Sequence, residues 1–244
     1  MTETQETIRQ VAQCIIHLTW TDPWRGPPAA HLLRGAVAAA FPDNDLFHQH
    51  SSDGKPIYRY PRIHYRWDTH SGEGIVVGFG DGVEMLTQLF MDDLELRLGN
   101  RVVTVREARV QFSRHNIGVL PRLRRYHFRS PWLALNQTNF DHYQSLSRTA
   151  QTAELDRIAV GNILSALKGL NIRLSERVYA AFRPQRRLLC HYKDQTLTGF
   201  LGSLITNIDL PDDFALGKAV SHGYGWLAWQ RDDGARKPPG QSVG

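Results

Sequence analysis

The sequence predicts an α+β fold made of two consecutive strand-rich units, the second of them incomplete. Short apolar runs with two-residue alternation outnumber the stretches with helical spacing. Up to Phe112 these elements follow the order β-α-β-β-α-β. Charge divides near the same point: residues 1–116 carry 12 Lys+Arg against 14 Asp+Glu, a net of −2, and residues 117–244 carry 17 against 10, a net of +7.

Residues 9–19 (RQVAQCIIHLT) predict the first strand. GPPAAHLLRGAVAAAF predicts a helix, because prolines suit its opening and Leu32, Leu33, Ala36, Val37 and Ala40 fall on one face. The next strand is expected over 57–67. Successive strand side chains point to opposite sides, so Ile57, Arg59, Pro61, Ile63, Tyr65 and Trp67 share a face that reads as buried. Tyr58, Tyr60, Arg62, His64 and Arg66 share the other, which reads as a ligand surface. Pro61 lacks an amide hydrogen and predicts a sheet edge or a bulge. GIVVGF reads as a strand, GDGVEMLTQLF as a short helix, and LELRLGNRVVTVREARVQF as a hairpin turning at Gly99-Asn100. This is the split βαβ, ferredoxin-like order.

In the second half LRRYHFRSPWLAL opens with a strand, and TAELDRIAVGNILSALKGL predicts a helix. Its inward residues are Leu155, Ile158, Asn162, Ile163, Ala166 and Leu170, with Gly169 as its stop. VYAAF, RRLLCHYKD and LTGFLGSLITNIDL read as strands, and LGKAVSHGYGWLAW closes the ordered chain with a glycine-rich turn and a last strand. No second helix is legible there. The expected boundaries are therefore an N-terminal domain over 1–116, a C-terminal domain over 117–230, and a disordered tail over 231–244.

Composition narrows the function classes. With 41% hydrophobic residues the chain is expected to pack real cores, and it contains no apolar run of membrane-spanning length. MTETQETIRQ lacks the features of a signal peptide, which predicts a cytoplasmic location. Cys14 and Cys190 are too few for a disulfide framework and read as reduced core residues. Of 29 basic residues 24 are arginine, whose planar fork suits phosphates and stacked bases. Codon bias would produce such a ratio without producing clusters.

Clusters are present. Arg122, Arg124, Arg125, His127 and Arg129 lie in a stretch with no acid, interleaved with Tyr126 and Phe128. Arg173, Arg177, Arg183, Arg186 and Arg187 form a second group. A solvated face usually mixes signs, so both read as clamps on a nucleic-acid backbone. Trp132 and Trp226 read as buried, with base stacking as the alternative. In LGKAVSHGYGW, Gly223 and Gly225 flank Tyr224 and permit close backbone approach by a phosphate or base, with Lys218 and His222 at hand. The competing reading is a tight turn that needs glycine for itself.

His48-Gln49-His50 admits three readings: a metal pair, a solvated loop, or an acid-base pair with Tyr58 or Tyr60 orienting it. RNA cleavage is one reaction that needs such a pair and no metal. A base takes the 2′-hydroxyl proton, the oxygen attacks the adjacent phosphate, and an acid protonates the leaving 5′-oxygen.

Three segments carry a resemblance to a known family: LLRGAVAAAFPDNDLFHQH with YRYPRIHY, FRSPWLALNQTNF with AVGNILSALKGL, and GKAVSHGYGWL. Together they resemble the Cas6 family of CRISPR-associated endoribonucleases, most of all its Cas6b subgroup. The resemblance implies two tandem ferredoxin-like domains and a C-terminal glycine-rich loop. It implies metal-independent cleavage of precursor CRISPR RNA repeats, with no cofactor, leaving 2′,3′-cyclic phosphate and 5′-hydroxyl ends. It carries the reacting roles to His48, His50 and either Tyr58 or Tyr60, with His31 as competitor because other branches use a histidine near the first helix. Some relatives hold RNA without cleaving it, or stay bound as effector-complex subunits, so a non-catalytic RNA-binding subunit is the second expectation. The expected partners are the repeat RNA and effector subunits, with no membrane, and the expected state is a monomer or homodimer.

Overall fold

The computed structural model describes residues 9–27, 30–41, 60–89 and 93–230. The first unit runs β1 (Arg9–Trp20), α1 (Ala30–Ala40), β2 (Ile63–Trp67), β3 (Gly74–Phe79), α2 (Asp81–Leu86), β4 (Glu95–Leu98) and β5 (Arg101–Ile117). Its antiparallel sheet has the order β2-β3-β1-β5-β4. The second unit runs β6 (Val119–Phe128), α3 (Gln137–Ser145), α4 (Arg148–Gly169), β7 (Ala180–Tyr192), β8 (Gln195–Ile208) and β9 (Leu227–Trp229), in a sheet of order β7-β8-β6-β9. Four strands of each sheet follow one plan, so this is an α+β chain of two ferredoxin-like units, the first widened by the extra edge strand β4. A single 3₁₀ turn, Val220–His222, stands between β8 and β9 where a full repeat would carry its second helix.

Local sequence explains most elements. Leu98 pairs with Arg101 across Gly99-Asn100, and Gly99 takes φ 63, so the hairpin turn is the predicted one. α1 buries Leu33, Ala36 and Val37 against the first sheet. α4 buries Leu155, Ile158, Ala159, Ile163, Ala166 and Leu167. VYAAF and RRLLCHYKD, expected as separate strands, form one strand, because a register shift between Pro184 and Arg186 absorbs the proline that lacks a ladder donor. α3 was not legible: QTNFDHYQS buries only Tyr143, and the helix is started by Asn136, whose side chain accepts the Asn139 amide.

The two units share a core. Ile75, Val77 and Phe79 of β3 pack into the cluster centred on Trp132, Phe182, Phe200 and Phe214 of the second unit, while Val76 packs under α1. β3 is thus buried on both faces, which is why GIVVGF is a continuous apolar run. Among the described residues no helix is long and apolar enough to cross a membrane.

Candidate nucleic-acid interface

The predicted ligand face of β2 is instead the seam between the units. β2 does lie at a sheet edge, as Pro61 predicts, but His64 and Arg66 are both 0% exposed. Arg66 donates to His64 Nδ1 at 2.9 Å, to the Val220 carbonyl at 3.0 Å and to the Asp213 carbonyl at 3.4 Å. His64 Nε2 pairs with the Pro61 carbonyl at 2.9 Å. One imidazole nitrogen therefore donates and the other accepts, so the ring is neutral. Burial, and then the Arg66 charge, hold its pKa well below the usual histidine value. The side chains of β2 do alternate, but the connection between β8 and β9, which supplies Asp213 and Val220 and is invisible to local pattern, covers that face.

His48, His50 and Tyr58 lie outside the described residues. Tyr60, two residues after Tyr58, is a strut: its hydroxyl donates to the Ala215 carbonyl at 2.7 Å and its ring stacks on Phe214. A Cβ at Gly169 would come within 2.4 Å of Tyr60 Cβ, so α4 ends in glycine where Tyr60 crosses it. The segment bearing the two histidines is thus bracketed by Phe41, after α1, and by a tyrosine pinned to the second unit.

The glycine-rich loop approaches its own protein. Gly225 takes φ 68, and a Cβ there would meet the Leu216 carbonyl oxygen within 1.9 Å. Gly223 takes φ 93, and its Cβ would meet Ala30 of α1 at 2.6 Å. Between them, half-buried Tyr224 donates its hydroxyl to the His191 carbonyl at 2.8 Å. Lys218 is exposed, its backbone amide bound to the Leu133 carbonyl. The glycines hold the loop against the start of α1.

That contact walls a cleft of about 290 Å³ between α1, the end of β2, the turn after β6 and the loop. His31, Asp68, Arg129, Ser130, His222 and Trp226 face it. His31, the competing histidine near the first helix, is exposed and lines this cleft. His222 is partly buried, with Tyr192 edge-on at 5.0 Å and Ser221 Oγ 3.2 Å from Nδ1. Burial first, then the charges of Arg34 and Lys193 and the neighbouring His31, push its pKa down to about 4. His222 is therefore neutral near pH 7.

The arginines divide by neighbour. Arg122, Arg125 and Arg186 are exposed. Arg124 is paired with Asp209 at 3.0 Å and lies 4.6 Å over the Trp229 ring. Arg183 lies 3.8 Å from Asp156, and Arg187 donates to the Tyr143 hydroxyl at 3.0 Å and to Gln151. Arg129 sits 3.9 Å over Trp226 and 3.5 Å from Asp68. The acid-free run in sequence therefore meets acids from distant segments. Trp132 and Trp226 are buried, their indole nitrogens donating to Asn162 and Asp213. Among the described residues no group of three or more His, Cys, Asp or Glu is placed to hold a metal ion.

Comparison with known proteins places this geometry. The Cas6b N-terminal domain family matches residues 14–116 and the Cas6b C-terminal domain family matches residues 118–229. A crystal structure of Cas6b superposes with TM-score 0.80 at 25% identity, covering 91% of this chain and all of that one. A CRISPR RNA processing endoribonuclease Cas6b superposes with TM-score 0.68 at 22% identity, over 90% of this chain and all of that one. An uncharacterized protein of Methanocaldococcus jannaschii is 30% identical over 138 residues, 57% of this chain and 94% of that protein.

Proposed function

Because the chain belongs to the Cas6b family, both of whose domains it matches in order, we propose that it is an endoribonuclease that cleaves precursor CRISPR RNA within its repeats. The observation that carries this reading is the 0.80 superposition on a Cas6b over 91% of the chain.

In this reading the RNA lies along the cleft where α1 meets the glycine-rich loop, a surface with Arg34, Arg129 and Lys193 nearby and exposed Arg122, Arg125 and Arg186 as phosphate contacts. Lys218 and Tyr224 flank the same loop, whose shape Gly223 and Gly225 maintain. His48 and His50 take the base and acid roles at the scissile phosphate, without a metal ion. The 2′-oxygen gives its proton to one imidazole and attacks phosphorus; the P–O5′ bond breaks and the 5′-oxygen takes a proton from the other, leaving a 2′,3′-cyclic phosphate and a 5′-hydroxyl. Tyr58 orients the pair, and Tyr60 anchors their segment through Ala215. The processed RNA is the guide delivered to effector subunits.

A second reading shifts the chemistry to His31, favoured by its exposure on the cleft beside neutral His222. One experiment tests both. A labelled CRISPR repeat RNA from the same genome is incubated in excess chelator with wild type and with His48→Ala, His50→Ala and His31→Ala. Cleavage to a cyclic phosphate by wild type, lost with His48 or His50, supports the first reading. Loss confined to His31→Ala supports the second. Binding without cleavage by wild type overturns both in favour of a non-catalytic RNA-binding subunit.

A further inference from the structure

We propose that the cleft beside β6 holds one unpaired nucleobase of the bound RNA, stacked on the guanidinium of Arg129. The proposal deepens the RNA reading above and rests on it.

Trp226 is 4% exposed, so it offers a base no open ring. Arg129 covers it, with Cζ 3.9 Å from the ring centroid, a distance at which the guanidinium lies against the indole. The side chain remains 40% exposed and lines the cleft, so it passes the stacking surface of the tryptophan outward as a flat, polarised plane. Stacking on arginine planes is a general way of holding splayed-out bases.

The shelf is built before any ligand arrives. The Arg129 amide donates to the Trp226 carbonyl at 2.7 Å, which fixes the two residues side by side. Asp68 Oδ2 lies 3.5 Å from the guanidinium, and Asp68 Oδ1 is fixed by the backbone amides of His70 and Ser71 at 2.8 and 3.3 Å. Little side-chain freedom is left for Arg129 to lose on binding.

The same neighbours distinguish a base from a phosphate. A phosphate against Arg129 would also face the Asp68 carboxylate, a like charge. A neutral base meets no such repulsion. It finds an acceptor in Asp68 and a donor in Ser130, whose oxygen already accepts the Trp226 amide at 2.9 Å while its hydroxyl proton is still available. The cleft, about 290 Å³, has room for one base. The sequence pattern groups Arg129 with the backbone clamps; the structure assigns it a different contact.

The test is equilibrium binding, by anisotropy, of a repeat RNA blocked with 2′-deoxy substitutions against cleavage. The RNA is scanned with single abasic positions against wild type, Arg129→Lys and Arg129→Ala of the full chain. One abasic position should weaken wild-type binding about tenfold, the effect typical of losing one stacked base. Arg129→Lys should cause the same loss on the intact RNA, become indifferent to that abasic position, and leave the salt dependence unchanged. The proposal is overturned if Arg129→Lys binds like wild type while Arg129→Ala weakens binding and lowers the salt slope, the mark of a phosphate contact. It is also overturned if wild type binds tightly but no abasic position couples to Arg129. If wild type binds no repeat RNA, the RNA reading itself falls, and the proposal with it.

Discussion

The guanidinium of Arg66 donates to Nδ1 of His64 at 2.9 Å inside the seam between the two units, where neither side chain touches solvent. Burial pulls the Arg66 pKa down to about 10, so the group still carries its charge at neutral pH, held by backbone carbonyls and a neutral ring. Truncating it orphans His64 and the Val220 carbonyl and leaves a cavity. Arg66→Ala is expected to cost on the order of 3 kcal/mol, read as a lower urea midpoint at unchanged slope. A loss under about 1 kcal/mol would mean the seam relaxes around the gap.

Acid should weaken the fold through two histidines, one in this seam and one on the cleft. His64 and His222 both titrate below an ordinary histidine when folded. Between those depressed values and about pH 6.5 the unfolded chain binds protons that the folded chain refuses, so stability falls as pH drops. The slope reaches at most about 1.4 kcal/mol per pH unit for each fully coupled histidine. His64→Gln should flatten the melting temperature between pH 7 and 5, and an unchanged pH profile would remove His64 as a source.

Two glycines separate turn geometry from helix propensity. Gly225→Ala forces a Cβ onto the Leu216 carbonyl at positive φ and should cost on the order of 2–3 kcal/mol. Gly35→Ala, inside α1 with nothing within 4 Å of the added carbon, should stabilise by about 0.5–1 kcal/mol. Thermal melts of the two variants decide it, and equal effects would mean the loop is not held as described.

Salt titration should sort the arginines. Arg122→Ala and Arg125→Ala are expected to lower both RNA affinity and its salt slope, with melting unchanged. Arg124→Ala should first lower stability, by about 1 kcal/mol, because it removes the Asp209 pair and the cover on Trp229. A wild-type salt slope in the first two variants would exclude them as phosphate contacts.

If His48 and His50 divide the acid and base roles, the cleavage rate should follow a bell-shaped pH profile. Each single alanine variant should lose one limb and about 10²–10⁴-fold in rate. A flat profile between about pH 5 and 9 in wild type would remove the pair.

Local signals were strong where one residue type has one physical use. Gly99-Asn100 could only turn the hairpin, and the apolar stripe of α4 could only face a core. α3 was missed because a capping asparagine and one buried tyrosine make no stripe.

The sequence by itself determined the order of elements in the first unit, the repeated half-unit, the excess of arginine and the segments that resemble Cas6b, since these depend on period, turn chemistry and composition. Only the tertiary structure decided which side chains meet. A strand face of tyrosine, histidine and arginine reads the same whether water, RNA or a distant loop covers it. An arginine's charge likewise says nothing about which carboxylate folding brings beside it. Packing of the second unit buried His64 and Arg66, gave Arg124 its Asp209, laid Arg129 on Trp226, and left His31 and His222 on the open cleft.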